Sequence, residues 1–251
     1  MRTILRGNKL LKEYDFILVM PVFNEEEGIN TFLKSLITKF EHRCFIIVVD
    51  DKSTDRTIEK MKGIENRSSL NIIELPKNLG HGGALVHGLK TSLQFQTNII
   101  ITVDGDGQIT PNLIEEIYNS IKLRSDSILE LARKNRLDGK IRKTISFSTR
   151  VLVFLKTGKI SYDANTPFRA YNRNNLSTLL QSVPKNTLVP NLWFSIISRR
   201  RKMNIITLRA DSKSRIGSTK TGSTWSGGAF KKYKKLFTFS AKAAFEFLSN
   251  K

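Results

Sequence analysis

Short apolar runs alternate along the chain with stretches whose apolar positions recur near every 3.6 residues. Phe16–Met20, Cys44–Val49, Leu70–Leu75 and Asn98–Val103 are β-rich and lack polar alternation. That is the pattern of strands covered on both faces of a mainly parallel sheet. Between the first two runs, Ile29, Phe32, Leu33, Leu36, Ile37 and Phe40 fall at i, i+3, i+4 spacing and predict an amphipathic helix. Asn24 is its expected N-cap, placing Glu25, Glu26 and Glu27 in a first turn where the helix dipole favours acids. A helix is predicted from about Gly82 to Gln94, after the third run. Another starts at Thr110-Pro111, a capping residue followed by proline, and carries Leu113, Ile114, Ile117 and Ile121. In the less regular second half, Ile145–Leu155 and Leu188–Ser198 read as helices and Phe168–Tyr171 as a short strand. Residues 211–228, rich in Ser, Thr, Gly and Lys, read as a mobile loop, and helical spacing resumes from Ala229 to Lys251.

Strands and helices in alternation imply an α/β fold: a Rossmann-like, three-layer α/β/α sandwich with a mainly parallel central sheet and right-handed crossovers. With 251 residues, no internal repeat and no clear linker, the chain fits one core around one large sheet. Ligands of such sheets bind beyond the carboxyl ends of the strands. Four segments qualify: Pro21–Glu25, Asp50–Asp55, Asn78–Gly83 and Asp104–Gln108.

Composition narrows the partners. Lys and Arg number 42 against 22 Asp and Glu, a formal net charge of +20. Such an excess calls for an anionic partner: nucleic acid, a phosphorylated metabolite or an acidic membrane face. The single cysteine, Cys44, excludes an internal disulfide framework and suits a reducing compartment. No apolar run approaches the roughly 18 residues needed to span a bilayer. Phe16–Met20 is too short, and lacks the small-residue cleavage site, to be part of a signal peptide. A soluble, cytoplasmic-type protein is the expectation.

Asp104-Gly105-Asp106-Gly107-Gln108 follows the run NIIITV directly. Two carboxylates at i and i+2 repel one another as they leave a buried strand, and a divalent cation relieves that repulsion. Mg²⁺ typically takes one or two carboxylates and completes its octahedron with water and phosphate oxygens. An Asp-Gly turn is the plainer alternative. Asp50-Asp51-Lys52-Ser53-Thr54-Asp55 leaves FIIVV in the same way. There Asp51 is a candidate acceptor for nucleobase or ribose donors, with capping by Ser53 or Asp55 as the structural alternative. His81, in the loop NLGHGG, is either a contact to donor phosphate or acceptor, or a loop histidine held by backbone groups. His42 and His87 read as surface or helix-face residues. No His/Cys spacing suggests zinc. Gly82-Gly83 lacks G-x-G-x-x-G and no Walker lysine follows, which argues against a dinucleotide oxidoreductase or a P-loop NTPase.

Four blocks, VMPVFNEEEGI (19–29), IIVVDDKSTDRT (46–57), NLGHGGALVHGL (78–89) and VDGDGQITPNLI (103–114), resemble in order and spacing the conserved segments of glycosyltransferase family 2, the GT-A fold. YDANTPFRAYNR (162–173) resembles the D-x-x-S-G-F-R segment of its polyprenyl-phosphate sugar transferases, the dolichol-phosphate mannosyltransferase type, with Pro167 in place of the glycine. RIGSTK (215–220) resembles their R-x-x-G-x-S-K loop. The resemblance spans roughly residues 16 to 225, so a GT-A domain over residues 1–225 followed by a basic helix over 226–251 is expected. It implies that Pro21, Phe23 and Glu25 line the base and ribose, and that Asp51 contacts the base. It implies that Asp104 faces the sugar or ribose, while Asp106 and Gln108 hold Mg²⁺ or Mn²⁺ on the diphosphate. Arg133, Arg169, Arg215 and Lys220 are implied to meet phosphate groups. Members of this branch often carry carboxy-terminal transmembrane helices, which this sequence does not show.

The expected activity is therefore an inverting, metal-dependent transfer of a sugar from a nucleotide-diphosphate sugar. The acceptor is a polyprenyl phosphate or a lipid-linked, cell-envelope glycan, met at the cytoplasmic membrane face. Asp163 is the candidate general base, with a turn role as its alternative; an ionised lipid phosphate requires no base. Two rivals remain: a nucleotidyltransferase sharing the acidic metal site, and a non-catalytic basic module for nucleic acid or acidic membrane. Nucleic acid is not an expected partner, because the acids cluster where a phosphate-binding groove would open. An oligomer is compatible with the sequence. In the tail, Phe230, Tyr233, Phe237, Ala241, Ala244, Phe245 and Leu248 fall at helical spacing, and six lysines face one acid, Glu246. That is either an interfacial anchor or a helix packed on protein.

Overall fold

The computed structural model describes residues 3–6, 9–12, 14–64, 67–124, 126–134, 140–185, 187–211, 215–216 and 246–247. A hairpin of β1 (Thr3–Arg6) and β2 (Lys9–Lys12) precedes the main sheet. The sheet comprises β3 (Phe16–Val22), β4 (Cys44–Asp50), β5 (Leu70–Glu74), β6 (Ile99–Thr102), β7 (Ser127–Arg133), β8 (Arg169–Asn172) and β9 (Asn204–Ala210). Their spatial order is β5-β4-β3-β6-β8-β7-β9. Only β8 runs against the others among these strands. The central strands β3 and β4 are buried almost throughout, which is why they read as continuous apolar runs.

Helices cover both faces. On one lie α1 (Ile29–Phe40), α2 (Thr57–Lys62) and α4 (Pro111–Lys122), whose Leu33, Met61 and Ile117 enter one core with Leu18, Val48 and Leu129. On the other lie α3 (Gly80–Ser92), α5 (Lys140–Thr157), α6 (Arg173–Ser182) and α7 (Pro190–Arg200). There Leu85, Val153, Leu176 and Phe194 pack on Ile17, Val49 and Ile128. This is the three-layer arrangement expected. Helix α3 sits unusually close to the sheet because Gly88 faces Val19 and Val49: a Cβ there would lie 2.6 Å from Val19 Cγ1.

Several local expectations are corrected. Asn24 does not cap α1. It sits in the left-handed region (φ 54°), while Gly28 precedes the helix and offers no side-chain cap. Glu25, Glu26 and Glu27 form the turn before the helix, with Glu25 O accepting from Gly28 N and Ile29 N, so α1 has no acid in its first turn. Thr110 does cap α4, accepting from Leu113 N at 3.3 Å. Helix α3 begins at Gly80 and ends at Ser92, and α5 starts five residues before the predicted position, at Lys140 rather than Ile145. The β1–β2 hairpin, α2, β7, α6 and β9 were not predicted. Strand β7 carries Glu130 within SILELAR, and β9 is an edge strand whose residues are mostly half-buried, so neither gives a clean apolar run.

Of the tail beyond residue 225, Glu246 and Phe247 are described. Phe247 is buried and stacked on Trp193 (ring centroids 4.6 Å apart), and Glu246 accepts from Trp193 Nε1 at 2.5 Å and Leu188 N at 3.1 Å. The expected apolar stripe of that tail and most of the 211–228 loop lie outside the described residues. Among the described residues no helix is long and apolar enough to cross a membrane.

Candidate active site at the carboxyl edge of the sheet

Strand direction decides what meets here. The carboxyl ends of β3, β4, β6, β7 and β9 lie along one edge, and antiparallel β8 starts there, so the loop leading into it arrives at the same place.

The β3–α1 and β4–α2 loops are stitched together. Asn24 N donates to Ser53 Oγ (2.9 Å), Thr54 N to Asn24 Oδ1 (2.8 Å) and Glu25 N to Thr57 Oγ1 (2.8 Å). Asp50 holds the turn by accepting from Ser53 N (2.9 Å) and Ser53 Oγ (2.5 Å). Asp51 reaches across to the next loop, where its Oδ1 accepts from Leu79 N at 2.6 Å and its carbonyl from Asn78 Nδ2 at 2.8 Å. Burial raises the Asp51 pKa, against the pull of the Leu79 and Gly80 N–H groups, which favour the charged form. Asp51 thus lies at its predicted strand end and also fixes the start of α3.

Both glycines of the DGDG turn are required by space. A Cβ on Gly105 would lie 2.5 Å from Val22 Cγ1. Gly107 has φ 69°, and a Cβ there would meet Ile216 Cδ1 at 2.5 Å. Asp106 Oδ1 accepts from Gln108 N at 3.1 Å, and Asp106 O from Ile216 N at 2.9 Å. Asp104 Oδ1 lies 2.8 Å from His81 Nε2. Crowding in the cleft disfavours a charged His81, yet Asp104, with smaller contributions from Asp51 and Asp106, holds its pKa above the ordinary value. Burial, reinforced by the charge of Asp104, raises Asp106 to about 6. Burial raises Glu25 to about 7, although Arg215 bonds to its carboxylate, and the charges of Asp106 and Asp104 push the same way.

The cationic side comes from β7 and from the segment after β9. Arg133 donates from Nε and Nη2 to Asp163 Oδ2, at 3.2 Å each, and its guanidinium lies over the Phe168 ring. Arg215 pairs with Glu25, and the Ile216 side chain fits between Gly28 and Gly107. The structure therefore gathers Glu25, Asp51, His81, Asp104, Asp106, Gln108, Arg133, Asp163 and Arg215 at one edge. Pro21 is buried within β3, Phe23 is half-buried just beyond it, and Lys220 lies outside the described residues.

Arg169 is a correction. It is fully buried and donates to Glu130 Oε1 (2.7 Å), Ser195 Oγ (2.6 Å) and the carbonyls of Thr166, Ala164 and Asn191. A guanidinium engaged on every side in the interior cannot meet a phosphate group; it braces the loop that carries Asp163. Glu130 and Arg199 complete this network at 2.7 Å. Sequence reasoning missed them, although an acid within an apolar strand is a signal that a buried partner exists.

The donor set fits a divalent cation of the Mg²⁺ type. Among the described residues no three His, Cys, Asp or Glu side chains are arranged to enclose a metal. A cation would therefore rest on one or two carboxylates and fill its shell from phosphate and water, and the mutual repulsion of Asp104 and Asp106 is what it would relieve.

An open, mainly parallel sheet with acids and flanking guanidiniums at its carboxyl edge is the layout of an α/β enzyme with its ligand site there. The model of the family described as "Glycosyl transferase family 2" matches residues 17–204, and the chain belongs to that family. It is similar to the dodecaprenyl-phosphate galacturonate synthase of Rhizobium johnstonii, 31% identical over 174 residues, covering 66% of this chain and 51% of that one. It is also similar to the undecaprenyl-phosphate 4-deoxy-4-formamido-L-arabinose transferase of Proteus mirabilis, 30% identical over 181 residues, covering 70% of this chain and 54% of that one. The chain spans about half the length of these curated relatives. Among solved structures it is similar in fold to glucosyl-3-phosphoglycerate synthase of Mycobacterium tuberculosis, in complex with Mn²⁺, UDP and glucosyl-3-phosphoglycerate. That match has a TM-score of 0.66 and 16% identity, covering 94% of this chain and 79% of that one. For S. aureus TarS the TM-score is 0.58 and the identity 19%, covering 93% of this chain and 65% of that one.

Proposed function

We propose that this family 2 glycosyltransferase moves a sugar from a nucleotide-diphosphate sugar to a polyprenyl phosphate or a related lipid-linked envelope glycan, with inversion at the anomeric carbon. The observation that carries the reading is the meeting of Asp104, Asp106 and Glu25 with Arg133 and Arg215 at the edge where the carboxyl ends of the parallel strands open. Acids alone would repel a diphosphate, whereas acids that take up a cation, with guanidiniums beside them, attract one.

Asp106, Asp104 and Gln108 would hold Mg²⁺ or Mn²⁺. When bound, the ion offsets the negative charge that develops on the departing nucleoside diphosphate. The chain's own groups do the rest. Pro21, Phe23 and Asp51 border the space for base and ribose, and Arg215 and Lys220 meet the diphosphate. Arg133, held by Asp163, faces the acceptor side; an ionised lipid phosphate attacks without a base, and for a hydroxyl acceptor Asp163 takes the proton. His81 fixes the rotamer of Asp104. Lipid-linked acceptors in the two curated relatives' names, together with the +20 charge, support peripheral work at an anionic membrane face on the cytoplasmic side.

The test is calorimetric titration with UDP and GDP, each with and without Mg²⁺ or Mn²⁺. Affinity should rise with the cation, and Asp106→Asn should remove that increment while leaving the metal-free affinity. Cation-independent binding unchanged by Asp106→Asn would overturn the proposed site.

A further inference from the structure

Glu246 is the sole acid between Ala229 and Lys251, a stretch with six lysines, and it is turned onto the body of the protein. Its carboxylate accepts from three groups around the start of α7: Trp193 Nε1 at 2.5 Å, Leu188 N at 3.1 Å and the Thr187 hydroxyl. Phe247 beside it is buried against the Trp193 ring, with 28° between the planes, and its carbonyl accepts from Lys156 Nζ at 3.5 Å. Helix α7 lacks such a partner of its own. It starts at Val189-Pro190 with no side-chain cap and no acid in its first turn. A carboxylate brought in from elsewhere supplies the missing acceptor and sits at the positive end of the helix dipole.

The segment that Glu246 grips abuts the catalytic edge. Gly82, in the first turn of α3, packs so closely on it that a Cβ there would lie 2.7 Å from both Leu188 O and Pro190 Cδ. That turn has no side-chain cap from its preceding residue, Leu79, and is held from outside. Asp51 accepts from Leu79 N, Asn78 Oδ1 accepts from Gly80 N at 3.1 Å, and residues 188–190 press on Gly82. One residue before Gly82, His81 bonds Asp104. Contacts therefore run without a gap from Glu246 to Leu188, from Leu188 to Gly82, and through the α3 turn and His81 to Asp104. Val189, Leu192 and Trp193 also share one core with Ala84 and Leu85. A close-packed interior passes a displacement on, because it holds no slack to absorb it.

We infer that Glu246 is a positioning residue for the donor site: with Phe247 it clasps Thr187–Trp193, which fixes the first turn of α3 and, through His81, the orientation of Asp104. For its effect on binding the inference rests on the donor-site reading proposed above; the mechanical link from tail to α3 does not depend on that reading. The clasp requires a carboxylate rather than an amide. Its three partners all donate, and both carboxylate oxygens accept from them. Glutamine would turn an NH₂ group toward one of those donors and lose that bond.

The test compares the full-length wild type with Glu246→Gln, Glu246→Ala and Trp193→Phe. The last keeps a ring against Phe247 and removes one donor, so it and Glu246→Gln serve even if Glu246→Ala does not fold. Each protein is measured well below its melting temperature, by amide hydrogen exchange over residues 79–85 and 187–193 and by calorimetric titration with UDP, with and without Mn²⁺. Glu246→Gln should speed exchange in both segments and weaken Mn²⁺-supported UDP binding about fivefold or more. Glu246→Ala should be affected at least as much. Trp193→Phe should shift both readouts in the same direction. A residue that served stability alone would lower the melting temperature and leave the affinity of the folded protein as it was. Faster exchange confined to 187–193, with the α3 segment and the affinity as in wild type, overturns the inference. A weakened affinity with exchange over 79–85 unchanged overturns it too, because Glu246 would then act by another route. Wild type that binds neither UDP nor GDP in the presence of Mn²⁺ refutes the donor-site reading instead, and exchange over 79–85 then decides by itself whether the clasp reaches α3.

Discussion

Replacing Glu130 by Gln tests how the interior supports the catalytic edge. Glu130 is 3% exposed and lies between two guanidiniums that are themselves buried, Arg169 at 2.7 Å and Arg199 at 2.7 Å. Its burial opposes ionisation, but the charges and hydrogen bonds of Arg169 and Arg199 outweigh this and hold its pKa below the usual glutamate value. Glutamine keeps the shape and removes the charge, leaving two buried cations uncompensated. Breaking a buried pair from one side costs about 3–5 kcal/mol, a large part of the 5–15 kcal/mol typical of a whole domain. Urea unfolding followed by circular dichroism should show a midpoint lowered with little change in slope. The pH dependence gives the sign independently. A carboxyl whose pKa is depressed by folding adds stability that is complete above its unfolded value, about 4.3, and is lost as the pH falls through the lower folded value. The gap between wild type and Glu130→Gln should therefore be full at neutral pH and close below about pH 4. A loss under about 1 kcal/mol at pH 7, or a gap independent of pH, would refute the argument that this ion network is what the fold leans on. Because Arg169 also holds the carbonyls of Ala164 and Thr166, the surviving folded Glu130→Gln protein should show weaker acceptor-side kinetics with donor affinity nearly intact.

Two further substitutions address the backbone. Gly107→Ala places a side chain at φ 69° and against Ile216, so a loss of about 1–2 kcal/mol is expected. Thermal melts should also show part of that loss recovered when Ile216→Ala is added, and strict additivity would show that the two do not touch. Gly88→Val should destabilise by about 1–3 kcal/mol despite removing a glycine from a helix, because the new side chain meets Val19 and Val49. A stabilised Gly88→Val protein would mean that α3 stands further from the sheet than these distances allow.

The strands and helices that build the sheet's first half were legible because each satisfies a one-dimensional rule. Strands β3, β4 and β6 are covered on both faces and so read as nearly unbroken apolar runs, polar only at Asp50 and Thr102 where β4 and β6 end, and α4 announces itself by Thr110 and Pro111. The strand ends, and with them Asp51, Asp104 and Asp106, follow from the same runs. Elements that satisfy no such rule were invisible: β9 lies at a half-buried edge, and β7 carries a charge that only its partners from β8 and α7 explain.

What the sequence determined alone was therefore the alternation of elements and the chemistry at the ends of its clearest strands. The tertiary structure decided which of the arginines face the cleft and which serve the interior. Arg133 and Arg169 look equivalent in the chain, but β7 delivers the first to the open edge, whereas antiparallel β8 turns the second inward onto Glu130. Docking of Ile216 onto Gly28 and Gly107, and the pairing of Arg215 with Glu25 across 190 residues, are likewise tertiary facts. The physical reason is common to all three: periodicity reports only which face of an element is buried, while the partner of a charge depends on strands that are neighbours in space and distant in sequence.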